Sequence, residues 1–161
     1  MPQSYYIETS IPSFYYDSRD DIQAQAMKKW TREWWNIINE ENAFLVTGIP
    51  VITELSEAGE PKRSNAIRLI ENLPILNYDE TVDQIVSAYI SHKLMPGKAM
   101  GDAAHLALAS YYKCDFLVTW NCRNIANANK FGHIRRINGM MGLFTPELVT
   151  PFLLLEGREY E

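Results

Sequence analysis

Three short runs of β-prone, largely apolar residues constrain the fold of this chain more than its other features do. They are SYYIETSI near the N-terminus, AFLVT at 43–47 and DFLVTW at 115–120. The last two are apolar along most of their length instead of at alternate positions, which is typical of parallel strands covered on both faces. Because helical patterns separate the runs, the order predicts an α/β fold: a three-layer α/β/α sandwich around a short parallel sheet.

Amphipathic helical patterns fill the intervals between these strands. Apolar residues recur at three- and four-residue spacing within 20–42, 64–73 and 81–94, as they do on one face of a helix. Thr81 and Gln84 form a capping-box pattern at the start of the third segment. VITELSEAG is predicted as a helix ended by Gly59, PILNY as a short strand, and NIANANK as a short helix ahead of HIRRIN.

The length of 161 residues suits one domain, predicted to span 1–161, with a full hydrophobic core. No apolar run approaches the roughly 18 residues of a membrane span, and MPQSYYIETS does not have the pattern of a signal peptide. Cys114 and Cys122 make no metal-binding pattern and are interpreted as reduced thiols. We therefore expect a cytoplasmic protein without membrane contact.

The net charge of −5 argues against a protein that coats nucleic acid through bulk positive charge. It leaves open an enzyme that holds nucleic acid through a bound metal and a local basic patch. Each basic residue by itself is more often a solvated surface cation. The candidates for such a patch are Lys62, Arg63, Arg123, Lys130, Arg135 and Arg136.

Oxygen-bearing side chains stand where strands end or helices begin. Glu8 follows the first strand and Glu54 follows the second. Asp102 opens the helix before DFLVTW, and Asn121 ends that strand. In open parallel sheets ligands bind at the carboxyl ends of the strands, so we expect these four side chains to share one cleft.

Each of these residues also has a purely structural interpretation. Asp102 suits a helix N-cap, and Glu54 in a first helical turn would be stabilised by the helix dipole. Asn121 is a common turn residue, whereas Glu8 is harder to explain in this way. Taken together, however, three gathered acids need a cation, because two carboxylates about 5 Å apart repel by about 3 kcal/mol at an effective dielectric near 20. Mg²⁺ or Mn²⁺ with oxygen ligands would relieve that repulsion.

The four motifs, in this order and across nearly the whole chain, resemble the PIN-domain family. They are most similar to the VapC-type toxins of bacterial type II toxin–antitoxin pairs. The matching stretches are YIETS, VITEL, GDAAHLALA and FLVTWN. The chain departs from the family pattern at Glu8 and Asn121, since Asp is commoner at both positions. The amide of Asn121 keeps an oxygen but loses a charge, which puts a second metal ion and the turnover rate in question.

The resemblance implies a metal-dependent endoribonuclease with a PIN-like fold, an RNA substrate and a cognate antitoxin. It assigns Glu8, Glu54 and Asp102 to Mg²⁺ or Mn²⁺ and Asn121 to the positioning of a water or ligand. Thr9 and Thr119 are candidate supporting hydroxyls that suit turns equally well. His105, one helical turn after Asp102, either faces the cleft or is a buried, hydrogen-bonded histidine, and the second interpretation is favoured.

Three rival interpretations remain open at this point. A receiver domain would have two adjacent acids after the first strand, and a haloacid dehalogenase phosphatase would have D-x-D there, whereas YIETS has one acid. The third is a degenerate PIN fold that binds RNA or protein without catalysis, its site disabled by Asn121. Cleavage of RNA would separate that reading from the nuclease.

The first long helix carries three tryptophans, Trp30, Trp34 and Trp35. That is more aromatic surface than one helical face of a small domain is expected to hide. It predicts a homodimer or an antitoxin contact through part of this surface. The alternative is that all three indoles belong to the core.

Overall fold

The structure is a computed structural model that describes residues 2–96, 100–156 and 158, with the side chain of Met100 left undescribed. The strands are β1 (Ser4–Ile7), β2 (Phe44–Gly48), β3 (Ile75–Leu76), β4 (Phe116–Val118) and β5 (Glu147–Val149). The helices are α1 (Ser10–Tyr15), α2 (Ile22–Glu40), α3 (Ile49–Ser56), α4 (Lys62–Ile70), α5 (Glu80–Ser91), α6 (Met100–Tyr111), α7 (Ala128–Met140) and α8 (Pro151–Glu156).

All five strands lie parallel in one sheet, in the order β3-β2-β1-β4-β5. The central strand β1 places Tyr6 between Val46 of β2 and Leu117 of β4. Strands β2 and β3 extend the sheet in one direction, and β4 and β5 extend it in the other. The gap between the carboxyl ends of β1 and β4 is therefore the switch point at which ligands bind in such sheets.

Helices cover both faces of the sheet, as predicted. The ring of Tyr5 lies 5.8 Å from the ring of Trp34 on α2, and the ring of Tyr6 lies 5.7 Å from His105 on α6. Because successive side chains of a strand point to opposite faces, α2 and α6 lie on opposite sides of the sheet. The α/β/α sandwich with a short parallel sheet is thus confirmed.

Several local predictions differ from the structure. Helix α5 begins at Glu80 with Asp79 as its N-cap, which accepts a hydrogen bond from Val82 N, so the Thr81 capping box is wrong. Asp79 stands two residues before Thr81, so its carboxylate takes the free N–H of Val82 and Thr81 becomes part of the first helical turn. In NIANANK, residues 124–127 are not helical, whereas 128–130 begin α7, which continues through HIRRIN.

The C-terminal tail supplies the edge strand β5 and the helix α8, neither of which the sequence patterns identified. Leu148 of β5 pairs with Leu117 of β4. Phe152 of α8 packs on Trp30 of α2 with ring centroids 4.6 Å apart. A three-residue strand and a six-residue helix are too short to display a hydrophobic period, so only their pairing partners reveal them.

The three tryptophans of α2 are accounted for within the chain. Trp34 is fully buried and Trp35 is buried against it, while half-buried Trp30 packs between Trp120 and Phe152. The prediction that α2 carries surplus aromatic surface is therefore wrong, because α8 covers the part of the helix that the sheet leaves open.

Among the described residues, no helix is long and apolar enough to cross a membrane.

Candidate active site

A cleft of about 370 Å³ opens at the carboxyl edge of the sheet, beside the ends of β1 and β4. Glu8, Glu54, Asp102 and Asn121 all line it, as the sequence predicted. Thr9, Ser10, Ser13, Phe14 and Trp120 complete its walls. Residues separated by more than a hundred positions meet here because parallel strands end at one edge and pass the chain into the next helix.

Glu8 follows β1 directly and is buried at the floor of the cleft. Its Oε2 accepts a 2.7 Å hydrogen bond from Ser10 N, and its Oε1 accepts a 2.9 Å hydrogen bond from the Thr119 hydroxyl at the end of β4. Burial raises the pKa of this carboxyl, although the His105 charge and the two hydrogen bonds oppose the rise. The Thr119 hydroxyl thus contacts Glu8 and also accepts from Asn121 N in the turn, so it combines the two roles considered for it.

Glu54 projects toward the cleft from the second turn of α3. The sequence placed it in a first turn, but α3 begins at Ile49, immediately after Gly48 ends β2. Oε1 of Glu54 lies 2.8 Å from Nε2 of His105. Burial acts to raise the pKa of Glu54, yet the hydrogen bond and charge of His105 outweigh it and leave the pKa lowered.

His105 lies on α6 behind the cleft and is 1% exposed. Its Nδ1 is 2.8 Å from the hydroxyl of Tyr6, on the opposite side of the ring from Glu54. Burial favours the neutral ring, but the hydrogen bond to Glu54 and the nearby Glu8 charge raise the pKa of His105 above its usual value. The favoured interpretation, a buried and hydrogen-bonded histidine, is confirmed.

Asp102 lies in the first turn of α6, whose first residue is Met100, so it is not the helix cap that its position after Gly101 suggested. Its Oδ2 accepts a 2.8 Å hydrogen bond from the side-chain amide of Asn124. Asn124 oxygen in turn lies 3.4 Å from Nζ of Lys130, which also donates to Leu94 O at 3.2 Å. Of the basic residues considered for a nucleic-acid patch, Lys130 is therefore linked to the cleft, through its contact with Asn124.

Asn121 lines the cleft but shapes a turn. Its Oδ1 accepts a hydrogen bond from Asn124 N at 3.0 Å, and its own N–H donates to the Thr119 hydroxyl at 2.9 Å. The side chain that meets Asp102 is Asn124, which the sequence interpretation missed. The signal was the second asparagine of TWNCRN, three residues after the first.

The chemistry of these donors suits a hard divalent cation. Three carboxylates face one cleft, and carboxylate oxygens are the preferred ligands of Mg²⁺ and Mn²⁺. Within the described residues, however, no three His, Cys, Asp or Glu side chains are grouped closely enough to enclose a metal by themselves. The arrangement fits an ion held by one or two carboxylates and several waters, which is usual for Mg²⁺.

Comparison with solved structures bears on the fold. One matching chain comes from the crystal structure of VapBC2 from Rickettsia felis bound to a DNA fragment from their promoter. The TM-score is 0.56, and the match covers 92% of this chain and 97% of that chain at 14% sequence identity.

The chain has a PIN-like fold. At 14% identity the likeness is one of backbone arrangement, which agrees with the resemblance drawn from the four motifs. The sequence matches no protein-family model and no curated protein. In an open parallel sheet of this strand order, ligands are expected in the cleft beside β1 and β4, because the strand order reverses there.

Proposed function

We propose that the protein is a metal-dependent endoribonuclease that hydrolyses RNA phosphodiesters in the cleft between β1 and β4. The observation that carries the proposal is the gathering of Glu8, Glu54 and Asp102 in that cleft from three separate parts of the chain. Buried or half-buried acids placed together are costly to the fold; His105 offsets part of that cost, and a bound cation would offset more of it. The PIN-like fold supports this reading.

Of Glu8, Glu54 and Asp102, one or two would bind the Mg²⁺ or Mn²⁺ directly and the others through coordinated waters. When bound, such an ion polarises the phosphoryl oxygens and lowers the pKa of a coordinated water so that hydroxide is available at neutral pH. The chain's own groups keep the carboxylates in place: Thr119 holds Glu8 and Asn124 holds Asp102. Lys130, adjacent to Asn124, is a candidate contact for the RNA phosphates.

A cognate antitoxin is the proposed protein partner. The supporting observations are the motif resemblance to VapC-type toxins and the fold shared with a chain of the VapBC2 structure. Such a partner would have to mask the cleft or displace its ion in order to silence the nuclease. Co-purification of the chain with the product of an adjacent small gene, and loss of RNA cleavage in that complex, would test the pairing.

A non-catalytic PIN-like module that binds RNA or protein is the second candidate. It is favoured by two neutral amides, Asn124 in contact with Asp102 and Asn121 in the lining of the same cleft, where acids would add ligand charge. The two candidates differ in turnover: the module would bind RNA and leave it intact under every metal condition.

The test is cleavage of end-labelled RNA with Mg²⁺, with Mn²⁺ and with a chelator. We expect cleavage that the chelator stops and that Glu54→Gln lowers by at least a hundredfold. Glu57→Gln is the matched control, since Glu57 is an exposed acid one turn away outside the cleft. Equal cleavage by the Glu54→Gln variant and the parent would overturn the proposed site, and RNA binding without cleavage by the parent would support the non-catalytic module.

A further inference from the structure

A directional chain of hydrogen bonds runs through the core to the cleft. The Tyr6 hydroxyl on β1 lies 2.8 Å from Nδ1 of His105, and Nε2 of His105 lies 2.8 Å from Oε1 of Glu54. We propose that His105 is a positioning residue that donates its Nε2–H to Glu54, and that Tyr6 sets the ring tautomer which makes this possible. The inference rests on the proposed function of the cleft, and it assigns a role to two residues that do not line it.

The tautomer follows from the donors and acceptors available. A carboxylate accepts hydrogen bonds and cannot donate them, so the His105 nitrogen that faces Glu54 has to carry a proton. The Tyr6 hydroxyl is fully buried and has to place its own proton on an acceptor. Nδ1 of the neutral ring is that acceptor, which leaves the proton on Nε2.

The backbone lies close to both ends of this series of hydrogen bonds, the Tyr6 hydroxyl and the Glu54 carboxylate. A Cβ atom added at Gly48 would lie 2.8 Å from the Tyr6 hydroxyl oxygen and 2.6 Å from Cδ1 of Leu108. A Cβ added at Gly101 would press on Oε1 of Glu54. Glycine at both positions therefore allows the start of α3 to pack against the Tyr6 hydroxyl and the start of α6 to pack against the Glu54 carboxylate.

Positioning matters for Glu54 because its side chain is 38% exposed, whereas that of His105 is 1% exposed. A partly exposed glutamate is free to sample rotamers that point into solvent. Restricting it to the single rotamer that faces the cleft costs on the order of 1–2 kcal/mol of side-chain entropy. The buried imidazole removes that freedom before a ligand arrives. A cation would then meet a carboxylate that is already directed to the cleft.

The test compares three variants with the parent. His105→Gln keeps an N–H donor at a similar distance from the backbone, His105→Leu removes the donor, and Tyr6→Phe removes the hydroxyl. Nitrogen-15 NMR of the metal-free protein, recorded above the titration midpoint of His105, reports the tautomer. Mn²⁺ affinity is measured by electron paramagnetic resonance, and kcat and KM are measured on an RNA oligonucleotide.

We expect the parent to carry its proton on Nε2 and Tyr6→Phe to populate the other tautomer. His105→Leu should weaken Mn²⁺ binding and lower kcat at least tenfold with KM little changed, and His105→Gln should restore most of both. Thermal unfolding separates these effects from loss of the fold, and Tyr6→Phe is the milder variant if His105→Leu does not fold.

A neutral ring protonated on Nδ1 in the parent would overturn the assignment. So would a folded His105→Leu variant that binds Mn²⁺ and cleaves RNA like the parent, or a His105→Gln variant no better than His105→Leu. If the parent cleaves no RNA but shows the Nε2 tautomer and the Mn²⁺ affinities in the expected order, the positioning role holds and the nuclease proposal fails.

Discussion

Asn124 donates a 2.8 Å hydrogen bond from its side-chain amide to Oδ2 of Asp102, across 22 residues of sequence. The side chain of Asn121, which the motif resemblance placed in the site, instead accepts from the backbone of Asn124 and shapes the turn. The side-chain amide in direct contact with Asp102 is therefore that of Asn124. An acid at that position would face Asp102 directly.

The first prediction compares Asn124→Asp with Asn121→Asp. A new carboxylate beside Asp102 adds ligand charge, so Asn124→Asp should tighten Mn²⁺ or Mg²⁺ binding by roughly tenfold. It should also lower stability without metal, because two carboxylates in contact repel. Asn121→Asp should change affinity less, since an aspartate can keep the turn hydrogen bond. Calorimetric metal titrations check the order, and equal effects would place both residues equally near the ion.

Gly101→Ala is predicted to separate activity from stability. The added methyl group would displace the Glu54 carboxylate from His105, so RNA cleavage should fall at least tenfold. Replacing a glycine within a helix by alanine otherwise stabilises by up to about 1 kcal/mol. Gly132→Ala in α7 is the matched control, because its Cβ would meet open space. Kinetics and thermal unfolding of both variants check this, and full activity in Gly101→Ala would contradict it.

Glu8→Gln should raise the stability of the metal-free protein at neutral pH while abolishing cleavage. The folded pKa of Glu8 is raised above its ordinary 4.5, so its contribution to stability is present below about pH 4.5 and is lost as pH rises through the folded value. At neutral pH the buried charge therefore opposes folding. Removing it should raise the free energy of unfolding by about 1 kcal/mol. Denaturant unfolding in chelator at several pH values measures this, and a gain that persists below pH 4 would be inconsistent with it.

Asp17 and Arg19 provide a pH test away from the cleft. Hydrogen bonds from the Arg19 guanidinium lower the pKa of Asp17 from 3.8 to about 2. The ion pair therefore stabilises the fold above about pH 3.8 and is lost as pH falls toward 2. Asp17→Asn should cost about 1 kcal/mol at pH 7, a modest value because the arginine side chain is 62% exposed and screened by solvent. Asp20→Asn, at an exposed neighbour, is the control in acid and neutral unfolding curves.

The homodimer stays a prediction, now without support from the tryptophans. Trp34 and Trp35 are buried inside one chain, so acrylamide should quench the emission of these two indoles weakly at any protein concentration. Sedimentation at micromolar concentration, run beside the quenching series, tests for the dimer. Quenching that decreases markedly as a dimer forms would show that an indole is covered by the partner and would restore the original argument.

The sequence determined the architecture and the membership of the cleft. Runs that are apolar at consecutive positions are stable only when both faces of a strand are covered, so AFLVT and DFLVTW indicated a parallel sheet within helices. Once the strands are parallel, their carboxyl ends must share an edge. Glu8 and Asp102 were therefore predictable from their positions after a strand and at the head of a helix.

Only the tertiary structure decided which polar atoms meet. The turn of TWNCRN offers two asparagines, and packing of α6 against the end of β4 determines that the second one reaches Asp102. Likewise, α8 is too short to be seen in the sequence, yet it covers Trp30. Hydrophobic period is a property of a segment by itself, whereas a contact at 2.8 Å depends on the relative placement of two segments, which local patterns do not encode.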